Sequence, residues 1–336
     1  MLYLYRTENA CLVDCPAPAQ PGVPEDAVWI DLVEPTHDEE SAVEAAFGID
    51  IPTREELAEI EASSRLYQED DAAFMTATVV RRGDSDQPES SPVTFIIKNN
   101  RLITVRYHYP QSFPAFLRRA QKPQTTPMTG WGIFISLLEA VVDRAADHLE
   151  RVAMIVDQTS RQTFDTTHHL QRASSGRKRR KPRDLQTLLE QIGEEGDFSS
   201  KMRESLVSIG RMVAFAQTVI DQMRQNKETK DHRARIKTLQ RDIISLTDHA
   251  SFMAGKISFL LDAVLGMISI EQNGIIKIFS VAAVVFLPPT LVASIYGMNF
   301  QYMPELAWRF GYPWAIGLMI ISAVLPFLYF KRKGWL

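Results

Sequence analysis

Between Ile236 and Met267 apolar residues recur at alternating spacings of three and four: Ile236, Leu239, Ile243, Leu246, Ala250, Met253, Ile257, Leu260, Val264 and Met267. That period marks an α-helix packing along one narrow seam. No helix-breaking signal follows before Pro288, so the seam helix is expected to run straight on. The sequence it enters is uncharged. Ile278 to Ile295 is eighteen residues without a charge, and Pro313 to Phe330 is another eighteen. As helices, each can cross roughly 30 Å of hydrocarbon at about 1.5 Å per residue. Both are read as transmembrane helices, with spans at about 277–296 and 313–330 and an outer loop at 297–312. Soluble core helices are usually shorter and keep a polar edge. Pro288, Pro289 and Pro326 are compatible with spanning, because neighbouring helices can satisfy the backbone groups they free, and they predict local bends.

Upstream the texture changes twice. From Met1 to about Pro127 short β-rich runs (LYLYR, VWIDL, AAFMTATVV, VTFIIK and RLITVRY) alternate with helical segments and with turn clusters such as RRGDSDQPESSP and KNNR. Thr36 with Glu39 and Thr53 with Glu56 form two capping boxes, each setting a hydroxyl and a carboxylate over the free amides of a first helical turn. From about Thr129 to Lys277 the chain reads as helix, broken at Ser174 to Arg183, at Ile192 to Asp197 and near Asn226. The expected architecture is an α/β cytosolic domain (1–128), a long-helix region (129–276) and a transmembrane domain (277–336).

The basic residues orient the spans. Lys331, Arg332 and Lys333 follow the second span and Lys277 precedes the first, whereas the loop between them carries only Glu305 and Arg309 as charges. The positive-inside rule then puts both termini in the cytoplasm and the loop outside. Met1 to Arg6 runs directly into polar sequence without a signal-peptide pattern, so the first part is expected to be a cytosolic body. The formal charge of −4 over 336 residues gives no reason to expect a nucleic-acid partner. Cys11 and Cys15 are too few for a zinc site and are read as structural. No glycine-rich phosphate loop, nucleophile pattern or zinc-type histidine spacing points to an enzyme.

Seam spacing continued into the first span selects Asn273, Ile276, Ser280, Ala283, Leu287, Thr290 and Ser294. Four of these seven are polar, which suits either helix packing or the lining of a pore. Two spans cannot enclose a pore alone, so a pore requires several copies with this helix innermost. The sequence YGMNF followed by MPEL, preceded by EQNGIIKIFSVAAVVFLPPTLVAS and closed by a span ending in FKRKGWL, resembles the CorA family of magnesium channels. The match is detailed from about Glu271 onward and architectural before it.

The resemblance implies a homopentamer that transports Mg²⁺ through the inner or plasma membrane and is gated by intracellular Mg²⁺. Gly297, Met298 and Asn299 would form the outer mouth, with Glu305 adding negative charge and the glycine letting the helix end open. Neutral asparagine oxygens suit Mg²⁺, which gives up its waters reluctantly and can be held hydrated. Asn273 would lie at the cytoplasmic side of the pore and Leu287 at a hydrophobic constriction. Candidate regulatory ligands are Asp84, Asp86, Asp242 and Asp248. Zn²⁺, Co²⁺ or Ni²⁺ transport on the same architecture is the nearest alternative, although an all-oxygen mouth argues against Zn²⁺ capture. A non-conducting, membrane-anchored scaffold is another, but it would not need a polar stripe. Beyond self-association and lipid, no partner or small-molecule substrate other than cations is expected. The basic run Arg177 to Arg183 is a candidate contact for the anionic inner leaflet.

Overall fold

The computed structural model describes residues 1–15, 22–58, 61–82, 88–123, 128–172, 185–224, 226–299, 303–304 and 308–333. It divides into two compact units, Met1–Leu261 and Asp262–Leu336.

The first unit is built on a sheet of strands β1 (Leu2–Glu8), β2 (Cys11–Asp14), β3 (Ala27–Val33), β4 (Leu66–Glu69), β5 (Ala72–Arg82), β6 (Pro88–Lys98) and β7 (Arg101–Arg106). Their order is β2-β1-β3-β7-β6-β5-β4. Only the central β3–β7 pair is parallel, with Trp29 opposite Leu102; the other pairs are antiparallel. Three hairpins turn on residue pairs with both φ values positive: Asn9–Ala10, Asp70–Asp71 and Asn99–Asn100. Tight turns of this kind match the twist of the flanking strands, and Asn and Asp tolerate the left-handed backbone. All five β-rich runs of the sequence lie in strands, except Tyr107 at the end of the last, and the pairing extends further than the turn cluster suggests, to Arg81 opposite Glu89 and Arg82 opposite Pro88.

Side chains alternate across the sheet with the two-residue strand period. Trp29, Val93, Phe95, Ile97 and Leu102 join one core with residues of the long helices, while Ile30, Leu32, Ile96, Ile103 and Val105 join the other with Val43 and Phe47. The second face is covered by α1 (His37–Phe47), and α2 (Arg54–Ala58) and α3 (Ala62–Arg65) follow it in the chain. Both capping boxes form: Glu39 and Glu56 accept from the amides of Thr36 and Thr53 at 2.9 and 2.8 Å, and the threonine hydroxyls accept in return at 3.4 and 3.3 Å.

The first face carries α4 (Ser112–Ala120), α5 (Gly130–Arg172), α6 (Leu185–Gln222) and the start of α7 (Lys227–Tyr296). The break expected at Ile192 to Asp197 does not occur, because α6 runs through it. Burial of Ile192, Glu195 and Phe198 holds this stretch in the helix. Its glycines have a packing use instead. A Cβ at Gly196 would lie 3.3 Å from Ile257 Cγ2, and one at Gly210 would lie 3.3 Å from Ile243 Cγ2, so glycine lets α7 lie close against α6. The break near Asn226 is present, and Asn226 Oδ1 accepts the Thr229 amide at 2.7 Å at the start of α7. Of the seam, Ile236, Leu239, Ile243, Ala250, Met253, Ile257 and Leu260 are buried in this unit. The expected break at 174–183 lies outside the described residues.

A polar cluster crosses the sheet centre. Asp31 is bound by Arg106 Nη2 at 2.8 Å and Nε at 3.1 Å and by Thr104 Oγ1 at 2.7 Å. Arg106 Nη1 donates to the His108 carbonyl at 2.9 Å, and the guanidinium sits 4.5 Å from the Phe113 ring. His108 itself is 6% exposed. Burial first, then the charges of Arg106 and Arg81, push its pKa from 6.5 down to about 4. The unfolded chain therefore takes up this proton at a higher pH than the folded one. The stabilisation is complete above pH 6.5 and is lost as pH falls toward 4, by about 3 kcal/mol in all. Thermal melts from pH 7 to 4 should fall less steeply for His108→Asn than for the native protein; parallel slopes would remove His108 from the acid response.

The second unit holds the remainder of α7 and α8 (Gly311–Arg332). Both helices are long and apolar enough to cross a membrane. Helix α7 continues through Pro288 and Pro289, and α8 through Pro326.

Candidate functional site

Proline has no amide hydrogen, so Pro288 and Pro289 leave the carbonyls of Val284 and Val285 without their usual helical donors. One turn on, the Thr290 hydroxyl donates to the Phe286 carbonyl, which leaves its oxygen free to accept. The first span thus gathers spare oxygens within an otherwise apolar surface.

Two faces of this segment differ in packing. Val281 is buried, and Gly274, Val285, Pro288, Val292 and Tyr296 are partly buried, all at helical spacing on one side. Asn273, Ile276, Ser280, Ala283, Leu287, Thr290 and Ser294 are all exposed. At about 100° per residue this stripe is centred about 150° around the helix from the packed side. It presents three hydroxyls and one carboxamide where the rest of the circumference shows large apolar groups, including Phe279 and Phe286, each 72% exposed, and Leu291 at 62%. The packed face is the feature that sequence reasoning missed; its own recurrence, 274, 281, 285, 288, 292 and 296, was readable but is uniformly apolar and so hard to separate from lipid-facing positions.

The helix loosens at Gly297. The Gly297 amide still reaches the Ala293 carbonyl at 2.9 Å, and the Met298 amide turns to the Ile295 carbonyl at 3.3 Å. This tighter final bond closes the helix in 3₁₀ fashion. Gly297 does not take a positive φ; a Cβ there would instead stand 3.1 Å from the Ala293 carbonyl oxygen. The glycine relieves crowding against the preceding turn rather than supplying a left-handed bend. Met298 and Asn299 are exposed. Glu305 lies outside the described residues.

Aromatic residues gather beside the start of α8. Trp308 lies 6.2 Å from Phe310 and 6.4 Å from Trp314, centroid to centroid, and Tyr312 is 79% exposed. Amphipathic rings of this kind favour the headgroup level. The far end of α8 carries Lys331 and Arg332 in its last turn, and Lys333 Nζ lies 5.3 Å from the Tyr329 ring.

Of the candidate regulatory carboxylates, Asp84 and Asp86 lie outside the described residues, as does the basic run 177–183. Asp242 and Asp248 are both exposed on α7. Six residues apart, they diverge by about 120° and cannot close on one ion within a chain. Among the described residues no group of three or more His, Cys, Asp or Glu side chains is placed to hold a metal ion. Asp143 on α5 feels the charge of Asp242, together with those of Glu139 and Asp147, though its own burial does most to raise its pKa.

Residues 24–332 match the model of the family described as CorA-like Mg²⁺ transporter protein. The chain is 36% identical over 337 residues to the magnesium transport protein CorA of Escherichia coli K12, covering 100% of both chains. It is 34% identical over 310 residues to the protein of that name from Pasteurella multocida, covering 92% of each. In fold it is similar to the complete CorA magnesium transporter of Methanocaldococcus jannaschii, with a TM-score of 0.72 at 18% identity over 100% of this chain and 99% of that one. It also resembles the cytoplasmic domain of ZntB from Vibrio parahaemolyticus, with a TM-score of 0.55 at 8% identity over 80% of this chain and 97% of that one. With a family model spanning most of its length and a full-length relative at 36% identity, the chain belongs to the CorA-like Mg²⁺ transporter family.

Proposed function

We propose that this chain is the subunit of a membrane channel that carries Mg²⁺ into the cell. The observation that carries the reading is the exposed polar stripe of α7 in a chain of this family. Hydroxyls facing hydrocarbon carry a cost, so the stripe calls for partners, and copies of itself around a wet axis supply them. Five copies with α7 innermost would line a pore with Asn273, Ile276, Ser280, Ala283, Leu287, Thr290 and Ser294. Gly297, Met298 and Asn299 would form its outer mouth, with Glu305 nearby.

In this arrangement 1–128 and 129–276 are the cytosolic domain and its long helices, 277–336 is the membrane domain, and both termini are cytoplasmic. A hydrated Mg²⁺ would meet neutral oxygens that hold it without stripping its waters. Intracellular Mg²⁺ would gate the pore through carboxylates facing across neighbouring copies, with Asp84, Asp86, Asp242 and Asp248 as candidates. The divergence of Asp242 and Asp248 on one helix is compatible with ligands shared between subunits.

Liposomes holding the purified protein should take up Mg²⁺ well above protein-free liposomes and in preference to Zn²⁺, Co²⁺ and Ni²⁺. Uptake of one of the other cations without Mg²⁺ would reassign the cargo, and no uptake of any would leave a scaffold. The constriction is tested in the same system. Leu287→Ala shrinks an apolar ring that would hold the closed pore dry, so leak at high internal Mg²⁺ should rise several-fold. An unchanged leak would move the constriction away from Leu287.

A further inference from the structure

The first unit contains a cleft between the end of β5, the start of α4 and the facing sides of α5 and α6, lined by Arg81, Gln111, Ser112, Arg144, His148 and Ser205 among others. We propose that it binds a phosphate group, either as free inorganic phosphate or as the phosphate of a nucleotide. Among the described residues two arginines, Arg81 and Arg144, line it and no carboxylate residue does. The Arg81 side chain makes no hydrogen bond or ion pair with any described residue, although Glu89 is its cross-strand neighbour. Arg144 donates to the Gln111 carboxamide and is 3.7 Å from Asp147, whose side chain is 68% exposed. This leaves Arg144 with a weak, solvent-screened countercharge.

The start of α4 adds donors. Its first turn has no acidic residue, and Gln111 at the cap makes no capping hydrogen bond, because its carboxamide oxygen is taken by Arg144. The amides of Gln111 and Ser112 have no acceptor among the described residues. Uncapped amides at a helix start, with the dipole behind them, favour an anion. The Ser112 hydroxyl makes no hydrogen bond with a described residue either, whereas Ser205 Oγ already donates to the Thr78 carbonyl at 2.7 Å. Planar guanidinium forks, backbone amides and a hydroxyl together match a tetrahedral oxyanion. The pKa of His108, lowered first by its burial and then by the charges of Arg106 and Arg81, shows that the Arg81 charge reaches that imidazole.

The test is calorimetric titration of the full-length protein in detergent, at constant ionic strength, with sodium phosphate, with ATP in the absence of Mg²⁺, and with sodium chloride. Binding of both phosphate and ATP, with none of chloride, identifies the phosphate group as the ligand; binding of ATP alone assigns the site to a nucleotide. Arg81→Gln with Arg144→Gln should weaken that binding at least about tenfold. Arg81→Glu, a single change at a partly exposed position, should do the same if the double variant fails to fold. No heat from either phosphate or ATP at millimolar concentration overturns the proposal, as does binding that survives both variants. Because binding is read rather than flux, failure here leaves the transport reading untouched.

Discussion

Replacing Asn299 with alanine is expected to abolish Mg²⁺ uptake while the protein still assembles and inserts. The side chain is exposed just beyond the last turn of α7, one residue past the last helical hydrogen bond, that of the Met298 amide. No contact to a described residue depends on it, so folding should be indifferent to its loss. Each copy would lose one neutral oxygen, and a ring of copies would lose its whole set at once. Mg²⁺ holds its waters tightly enough that a mouth without matching acceptors presents a barrier rather than a weaker site. Uptake by Asn299→Ala in liposomes should therefore fall to the protein-free level, with an unchanged elution profile in detergent. Native-like uptake by that variant would sink the mouth assignment.

The largest effect on stability is expected at Asp31. Its side chain is 2% exposed and its partner Arg106 is 8% exposed, and they are joined through two nitrogens. Removing the carboxylate leaves a guanidinium buried in the sheet with the His108 carbonyl and the Phe113 and Tyr109 rings beside it but no countercharge among the described residues. Thr104 also loses its 2.7 Å acceptor and keeps only the Ile30 carbonyl at 3.5 Å, and Trp29 Nε1 depends on Thr104 at 3.0 Å. Breaking a buried pair from one side typically costs about 3–5 kcal/mol. Asp31→Ala should lower the denaturation midpoint of the first unit accordingly, as read by near-ultraviolet circular dichroism. Asp31→Ala combined with Arg106→Leu should recover much of the loss; no recovery would mean that the pair is not what Asp31 stabilises.

The membrane portion was legible because its signals are compositional. A span announces itself by lacking charge over eighteen residues, and the stripe from Asn273 to Ser294 by keeping polar groups at helical spacing. The sheet was legible as strands but not as an order. Nothing local in VWIDL or RLITVRY says that β3 lies parallel to β7, because that pairing is fixed by which faces the helices cover. The cost of reading glycine as punctuation shows at Gly196, where a backbone approach to Ile257 outweighs helix propensity. The cluster of Asp31, Thr104 and Arg106 escaped notice because its members sit about 75 residues apart and each looks ordinary where it stands.

The first core draws on Tyr5 and Trp29 near one end of the chain and on Ile236 and Ile243 far along it. During synthesis at about 5–20 residues per second, Trp29 leaves the ribosome about 10–40 s before Ile236 does. For that interval its strand has no parallel partner at first, and its aromatic face lacks the helices that later cover it. Loops of this length make late closure intrinsically slow. The body can finish folding only when the seam helix has been made, by which time the first apolar span follows it closely in the chain. Nascent-chain fragments ending before residue 236 should therefore be the ones that chaperones hold.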